Sequence, residues 1–365
     1  MKSTSSKLSL ALTLAMALVT AASAKPLKVY IMAGQSNMQG KARAKTFPAM
    51  AADPASKELH DRIVNEDGKP RVFEDVCVAA ISSRRGQETT RNGPLTIGFG
   101  NAAGEGETAF GPELAFGATL NENLNEPILI IKTSWGGKDI NTDFRPPSAG
   151  PFYPDPSKVK DKVGNKTTKA ATLVAQKQKA EHVYYRKMME HVKTVLADPK
   201  KYCPAYDPKE GYEVAGFVWF QGYNDMINGH LYPKKDGADR YKEYSRLLSL
   251  FIQDVRKDLE APKMPFVIGV MGLGGNTDGP FQNAQAAPAE MPEFKGNVAA
   301  VLTGKYWDHK LGELDSKKGQ LTDEEKQYLE LGRSNAGFHY LGSAKIYSRI
   351  GEAFAKALLE LEKTD

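Results

Sequence analysis

A serine, a histidine and two side-chain amides are the groups in this sequence with the spacing to do chemistry. The serine stands in Ala33-Gly34-Gln35-Ser36-Asn37-Met38, directly after the apolar run Val29-Tyr30-Ile31-Met32. A serine hydroxyl attacks an ester carbonyl only when a base takes its proton and the turn around it carries little bulk. Gly34 supplies that room. A helix starting just after Ser36 would aim the serine backbone N–H at a developing oxyanion, and its dipole would favour the negative charge. The same residues would equally suit an ordinary strand-to-helix turn in which Ser36 is only an N-cap.

Three further segments carry glycine and polar groups, two of them at the end of an apolar run. They are Thr133-Ser134-Trp135-Gly136-Gly137 after Ile128 to Lys132, Gln221-Gly222-Tyr223-Asn224-Asp225 after Gly216 to Phe220, and Gly337-Phe338-His339-Tyr340-Leu341-Gly342-Ser343 ahead of a C-terminal helical pattern. The carboxyl edge of a parallel sheet needs such endings to build a site. Of the six histidines, His182 and His191 fall in a helical pattern, His60 in a polar stretch, His230 in a turn, and His309 directly after Asp308. His339 occupies a loop after a glycine and between Phe338 and Tyr340, which would half-bury the ring and fix its orientation.

Together these segments resemble the SGNH (GDSL-like) hydrolases, in the branch of carbohydrate acetylesterases that includes sialate O-acetylesterases and some acetylxylan esterases. The resemblance runs from Val29 to the helix after Ser343 and implies a three-layer α/β/α flavodoxin-like fold. It implies Ser36 as nucleophile, His339 as base, and an oxyanion hole made of the Ser36 N–H, the Gly137 N–H and an amide from Gln221 or Asn224. Two positions depart from the family pattern: Ala336 stands where the triad acid would be, three residues before the histidine, and Tyr223 replaces a common glutamate after Gln-Gly. The first expectation for the acid is therefore Asp308, in Trp307-Asp308-His309, although a surface carboxylate in a turn reads the same way. Asp225 is the second candidate, and Asn335 or a backbone carbonyl would make a Ser-His dyad with a neutral orienter.

Gln35, Glu113, Arg145 and Tyr223 are the expected substrate contacts. Phe110-Gly111-Pro112-Glu113 and Asp143-Phe144-Arg145-Pro146-Pro147 are proline-stiffened loops that would present a charge at low entropic cost; structural pairing of Glu113 or Arg145 fits equally. No metal is expected, because the sequence has no H-x-x-x-H pair, no cysteine pair at zinc spacing and no calcium loop. No cofactor is required.

The chain opens with Lys2 and Lys7, an apolar run from Leu8 to Val19, and Ala22-Ser23-Ala24. That is the pattern of a secretory signal peptide over residues 1–24, too short to be a membrane span. The expected location is secreted or periplasmic, with no membrane span after removal of the leader. Cleavage leaves 25–365, expected as a single esterase domain because the candidate residues run from Ser36 to His339. The formal charge of +5 loses two lysines with the leader, too small a surplus to suggest a nucleic-acid partner. Cys77 and Cys203 would be permitted a disulfide in that compartment, and a buried free thiol at Cys77 is the alternative. Asn165-Lys166-Thr167 is a glycosylation sequon.

Strands are expected at Lys28–Met32, Val76–Ile81, Ile128–Lys132, Val214–Phe220, Phe266–Met271 and Val298–Thr303, alternating with helical patterns. That alternation specifies a mainly parallel sheet covered on both faces. Helices are expected at Thr168–Ala197, Arg240–Leu259 and Ser343–Glu362. Long irregular insertions are expected at Lys41–Pro70, Ser83–Glu107, Thr142–Lys166, Gly272–Phe294 and Lys310–Ser334, as walls of a substrate cleft. The functional expectation is a serine esterase that removes O-acetyl groups from carbohydrate. A general short-chain carboxylesterase, or an inactive carbohydrate-binding protein of the same fold, are the alternatives. Sugar, linkage and oligomeric state are not encoded in any motif.

Overall fold

The structure, a computed structural model, describes residues 25–84, 86–101, 108–152, 175, 177–229, 231–317 and 319–363. The leader, the sequon and His230 lie outside the described residues, as does part of the expected helix Thr168–Ala197. The strands are β1 (Leu27–Gly34), β2 (Ala42–Arg43), β3 (Phe73–Arg84), β4 (Gln87–Leu95), β5 (Ala109–Phe110), β6 (Ile128–Ser134), β7 (Tyr212–Phe220), β8 (Phe266–Val270) and β9 (Val298–Leu302). Seven of them form one sheet in the order β4-β3-β6-β1-β7-β8-β9. All neighbours are parallel except the β3–β4 hairpin. The α/β class and the six expected strands are as the apolar runs imply. The order places β1 at the centre, between β6 and β7.

Side chains alternate across a strand, and β7 shows what that does here. Phe217 and Trp219 pack on Phe251 of helix Lys242–Asp258. On the opposite face Phe220 meets Phe354 of helix Ala344–Glu362, and Gly216 leaves space that Leu358 fills. Helix Val183–Ala197 joins the first layer through a Tyr185–Phe251 contact, and helix Glu113–Asn123 the second through Tyr30–Phe116. Tyr244, Leu247, Leu248, Phe251 and Val255, which recur at helical spacing, are fully buried. This is the three-layer sandwich.

Four of the expected irregular insertions contain regular structure. Pro54–Ile63, Pro280–Ala286, His309–Ser316 and Asp323–Gly332 are helices, and Gln87–Leu95 is the edge strand β4. Each helix is short, and the first and second begin with a proline in the first turn, a position that proline favours; the proline reads as a loop signal only when the capping context is ignored. Cys77 and Cys203 are joined in a disulfide, with Cα atoms 5.4 Å apart, so neither is a free thiol. The bridge ties β3 to the turn after helix Pro199–Tyr202. Among the described residues no helix is long and apolar enough to cross a membrane.

Candidate active site

Gly34 ends β1 in a place where only glycine fits, since a Cβ there would stand 2.2 Å from the Phe220 carbonyl oxygen. The chain then turns into the short helix Ser36–Gln39. First-turn N–H groups have no acceptor within their own helix, and the Ser36 N–H is one of them. Ser36 is 8% exposed, enough for its hydroxyl to be reached. Gly136 lies beside it: a Cβ on Gly136 would be 3.7 Å from the Ser36 Cβ. Gly137 follows with φ 75°, the left-handed region that favours glycine. A positive φ at this point turns the backbone in the loop that passes the nucleophile.

His339 comes from the opposite end of the chain, and Asn37 connects the two. The Asn37 Nδ2 donates to the Phe338 carbonyl at 3.2 Å, while its Oδ1 accepts from the buried Tyr347 hydroxyl at 3.0 Å. The residue after Ser36 therefore holds the residue before His339. Tyr340 and Leu341 have φ of 48° and 59°, strained values for side-chain-bearing residues. The loop is braced against that strain: the Leu341 carbonyl accepts from both the Ser334 and Asn335 N–H, and the Tyr340 hydroxyl accepts from Gly272 N–H at 2.9 Å. Of the two flanking aromatics, Phe338 packs on the imidazole, with ring centroids 4.4 Å apart, while Tyr340 is fully buried against Phe220, Trp307 and Tyr347.

The group that orients His339 is Asn335, whose Oδ1 lies 2.8 Å from Nδ1. An amide oxygen can only accept, so in the neutral imidazole Nδ1 carries the proton and Nε2 keeps its lone pair. Asp308 does not take this place. Its carboxylate caps helix His309–Ser316 through the Leu311 N–H at 2.9 Å, accepts from the Tyr328 hydroxyl at 3.1 Å and pairs with Lys345. Asp225 does not take it either. It is fully buried and accepts from Gln221 Nε2 at 2.7 Å, Tyr232 Oη at 3.0 Å and Ile140 N at 3.1 Å. Burial, and then the charge of Asp139, push its pKa up to about 7.

Of the two amides expected for the oxyanion hole, Gln221 is occupied by other partners. Gln221 Nε2 is committed to Asp225 and the Lys138 carbonyl at 2.9 Å, and its Oε1 accepts from Tyr244. Gln35 supplies the clamp: its Oε1 accepts from Gly222 N–H at 3.1 Å and Gln221 Nε2 at 3.3 Å, and its Nε2 donates to Asn224 Oδ1 at 2.9 Å. That bond fixes Asn224 Oδ1 as an acceptor. Gln35 is fully buried and positions the loop instead of touching substrate.

Glu113 and Arg145 are likewise structural. Glu113 is fully buried, 2.6 Å from the Lys132 ammonium, and accepts from Gly111 N–H. Lys132 also donates to the Gln39 and Phe99 carbonyls at 3.0 Å each, so the pair anchors the end of the Ser36 helix. Arg145 staples its own loop, with Nε on the Gly150 carbonyl at 2.8 Å and a terminal nitrogen on the Asn141 carbonyl at 3.0 Å. Tyr223 alone of the four expected contacts reaches the site, stacked on Phe338 with ring centroids 5.8 Å apart. Asn37, Phe338 and Lys41 are the participants that spacing does not single out. Asn37 sits in the Ser36 motif itself, which is the one signal that pointed to it.

Burial, and then the Lys41 ammonium, hold the His339 imidazole down at about 4. Lys41 is itself lowered to about 8, first by burial and then by the charge of Lys132. Burial and a nearby cation both disfavour imidazolium, and a neutral orienter brings no anion to offset them, so the imidazole stays unprotonated well into the acid range. The acidic limb of the kcat/KM–pH profile should fall near pH 4 and not near 6.5: above it the neutral form dominates, and below it protonation removes the base. Asn335→Asp puts an anion against Nδ1, which favours imidazolium, so the limb should move to higher pH. Profiles of the two proteins on a small acetate ester check this; an unmoved limb in the variant would separate Asn335 from the titrating group. Among the described residues no cluster of histidine, cysteine and acidic side chains has the makings of a metal site.

A mainly parallel α/β/α sandwich with these motifs at the carboxyl ends of β1, β6 and β7 is the fold of the SGNH hydrolases. The family profile described as carbohydrate esterase, sialic acid-specific acetylesterase, matches residues 26–310, and the chain belongs to that family. The matched span holds Ser36, Gly137 and Asn224, while Asn335 and His339 lie beyond it. Similar solved structures include a protein from Arabidopsis thaliana at 16% identity and TM-score 0.45, covering 92% of this chain and 98% of that one. A carbohydrate acetylesterase from Xanthomonas citri is 14% identical at TM-score 0.44, over 93% of this chain and 57% of that one. NanS is 12% identical at TM-score 0.40, over 76% of this chain and 78% of that one. The comparison with curated proteins gives no match.

Proposed function

We propose that residues 25–365 form one secreted or periplasmic esterase domain that removes O-acetyl groups from carbohydrate with its own side chains and no cofactor. The observation that carries this reading is the Asn37 link, which holds the Ser36 motif against the His339 loop. Ser36 Oγ attacks the acetyl carbonyl carbon as His339 Nε2 takes the hydroxyl proton. The tetrahedral oxyanion is held by the Ser36 N–H, the Gly137 N–H and the Asn224 amide. As it collapses, His339 returns the proton to the departing sugar oxygen and leaves an acetyl-enzyme. Water, deprotonated by His339, then releases acetate. Asn335 keeps the imidazole in the tautomer this sequence needs, and Tyr223 contacts the sugar.

The acyl side should be small, because the Gly136-Gly137 loop lies close against Ser36. One or two extra methylenes in a fitted pocket cost a factor of roughly 10 to 200. Comparison of kcat/KM for p-nitrophenyl acetate, butyrate and octanoate should show that order. Acetate release should follow from acetylated xylan or O-acetyl sialic acid. Faster octanoate cleavage would point to a general carboxylesterase, and no release from any acetylated glycan would defeat the carbohydrate reading. The N-terminus of the exported protein should be Lys25, by intact mass.

A further inference from the structure

The proposed reaction has two sides, and the groups above account fully for only one of them. Gly137 and Asn224 hold the acyl oxygen, whereas Tyr223 is the one contact named for the sugar. His339 locates it: the ring nitrogen that returns the proton must face the departing sugar oxygen, so the pyranose lies next to the imidazole. The side chain adjoining that imidazole is Phe338, whose ring centroid is 4.4 Å from the His339 ring.

Phe338 is one of four large hydrophobic side chains exposed on the described surface, at 45%. Two restraints fix it in place. Its carbonyl is held by Asn37, and its ring lies on Tyr223 with planes only 23° apart. Tyr223 directly precedes Asn224, the proposed oxyanion donor, so the ring pair runs from the oxyanion side of the site to the base. Holding an aromatic face rigid and open to water has a solvation cost, which an apolar partner of matching size offsets. A pyranose presents such a partner in its C–H face, and rigid aromatic contact area is used at little entropic loss.

Resting on the esterase reading above, we infer that Phe338, backed by Tyr223, is the platform on which the pyranose ring of the leaving sugar lies, so that it determines specificity for ring-borne acetyl esters. Burying one ring face is worth about a tenfold change in kcat/KM. In Phe338→Ala, the ratio of kcat/KM for methyl 2-O-acetyl-β-D-xylopyranoside to that for ethyl acetate should fall about tenfold, and Phe338→Trp should restore it. Ethyl acetate has the same acyl group with a leaving group too small to cover a ring. Equal falls on both esters would mean that Phe338 only sets His339, and would overturn the platform; so would no fall on either.

A second readout does not depend on turnover. Saturation-transfer NMR with a mixture of methyl glycosides of xylose, galactose and N-acetylneuraminic acid should show transfer to ring C–H protons from the wild-type protein and its loss in Phe338→Ala. Transfer that persists in the variant, or is absent from the wild type, overturns the platform. Transfer that depends on Phe338 in a protein that hydrolyses no acetylated sugar would instead overturn the esterase reading while leaving the platform standing. Thermal melting of both variants verifies that the fold is retained.

Discussion

Ser36→Ala should lower kcat on p-nitrophenyl acetate by roughly 10⁴-fold or more, the usual consequence of removing the nucleophile of a serine hydrolase. The fold should be unaffected. The Ser36 hydroxyl makes no hydrogen bond among the described residues, and the loop is held by backbone and by Gln35, Asn37 and Gln39. Loss of activity can therefore be assigned to chemistry if the thermal midpoint stays within a degree or two. Reaction with a fluorophosphonate gives the same answer covalently: the wild type should be labelled at Ser36 and the variant not at all. A variant that kept more than about a tenth of wild-type turnover would remove Ser36 from the role.

The second large effect is on stability. Glu113 and Lys132 are both fully buried, and each completes its hydrogen bonding on the other and on nearby backbone. Removing one partner of such a pair leaves a buried charge without compensation, which typically costs about 3–5 kcal/mol. Glu113→Ala should show that loss in urea denaturation, as a lower midpoint with little change in slope. It should also lower activity, because Lys132 holds the Gln39 carbonyl at the end of the Ser36 helix. The double variant Glu113→Leu, Lys132→Met should regain part of the stability, since buried ion pairs are often replaceable by apolar side chains. A single variant as stable as the wild type would show that Lys132 sheds its proton at small cost; burial already lowers its pKa, against the pull of Glu113.

The parallel strands were legible for a physical reason. A strand covered on both faces is mostly apolar, and β1, β6, β7 and β8 are each built on an apolar run, residues 29–33, 128–131, 214–220 and 266–270. Gln87–Leu95 is not, because an edge strand exposed along most of its length takes its order from pairing with β3. Helix Glu113–Asn123 was missed for the opposite reason: residues 113–120 are all buried, so no polar face marks a period. At the site, the proposed roles of Ser36, His339, Gly137 and Asn224 rest on local motifs. The choice of Asn335 over Asp308 could not be read from a motif, since the difference is made by Lys345, distant in sequence from Asp308, which draws the Asp308 carboxylate to the helix Ala344–Glu362. Glu113 and Arg145 misled in the same way, for their partners are distant carbonyls and a lysine that no short motif contains.

Ser36 lies near the beginning of the chain and His339 close to its end, with Tyr347 of the last helix holding the asparagine that joins them. This arrangement imposes an order in time. A chain growing from its amino end carries the nucleophile from the start, yet it has no base and no brace until about three hundred further residues have been added. Under the proposed mechanism the serine is chemically silent throughout synthesis. Activity would then appear only when the final helix docks against Glu113–Asn123, and the onset of esterase turnover would serve as a direct clock for completion of folding.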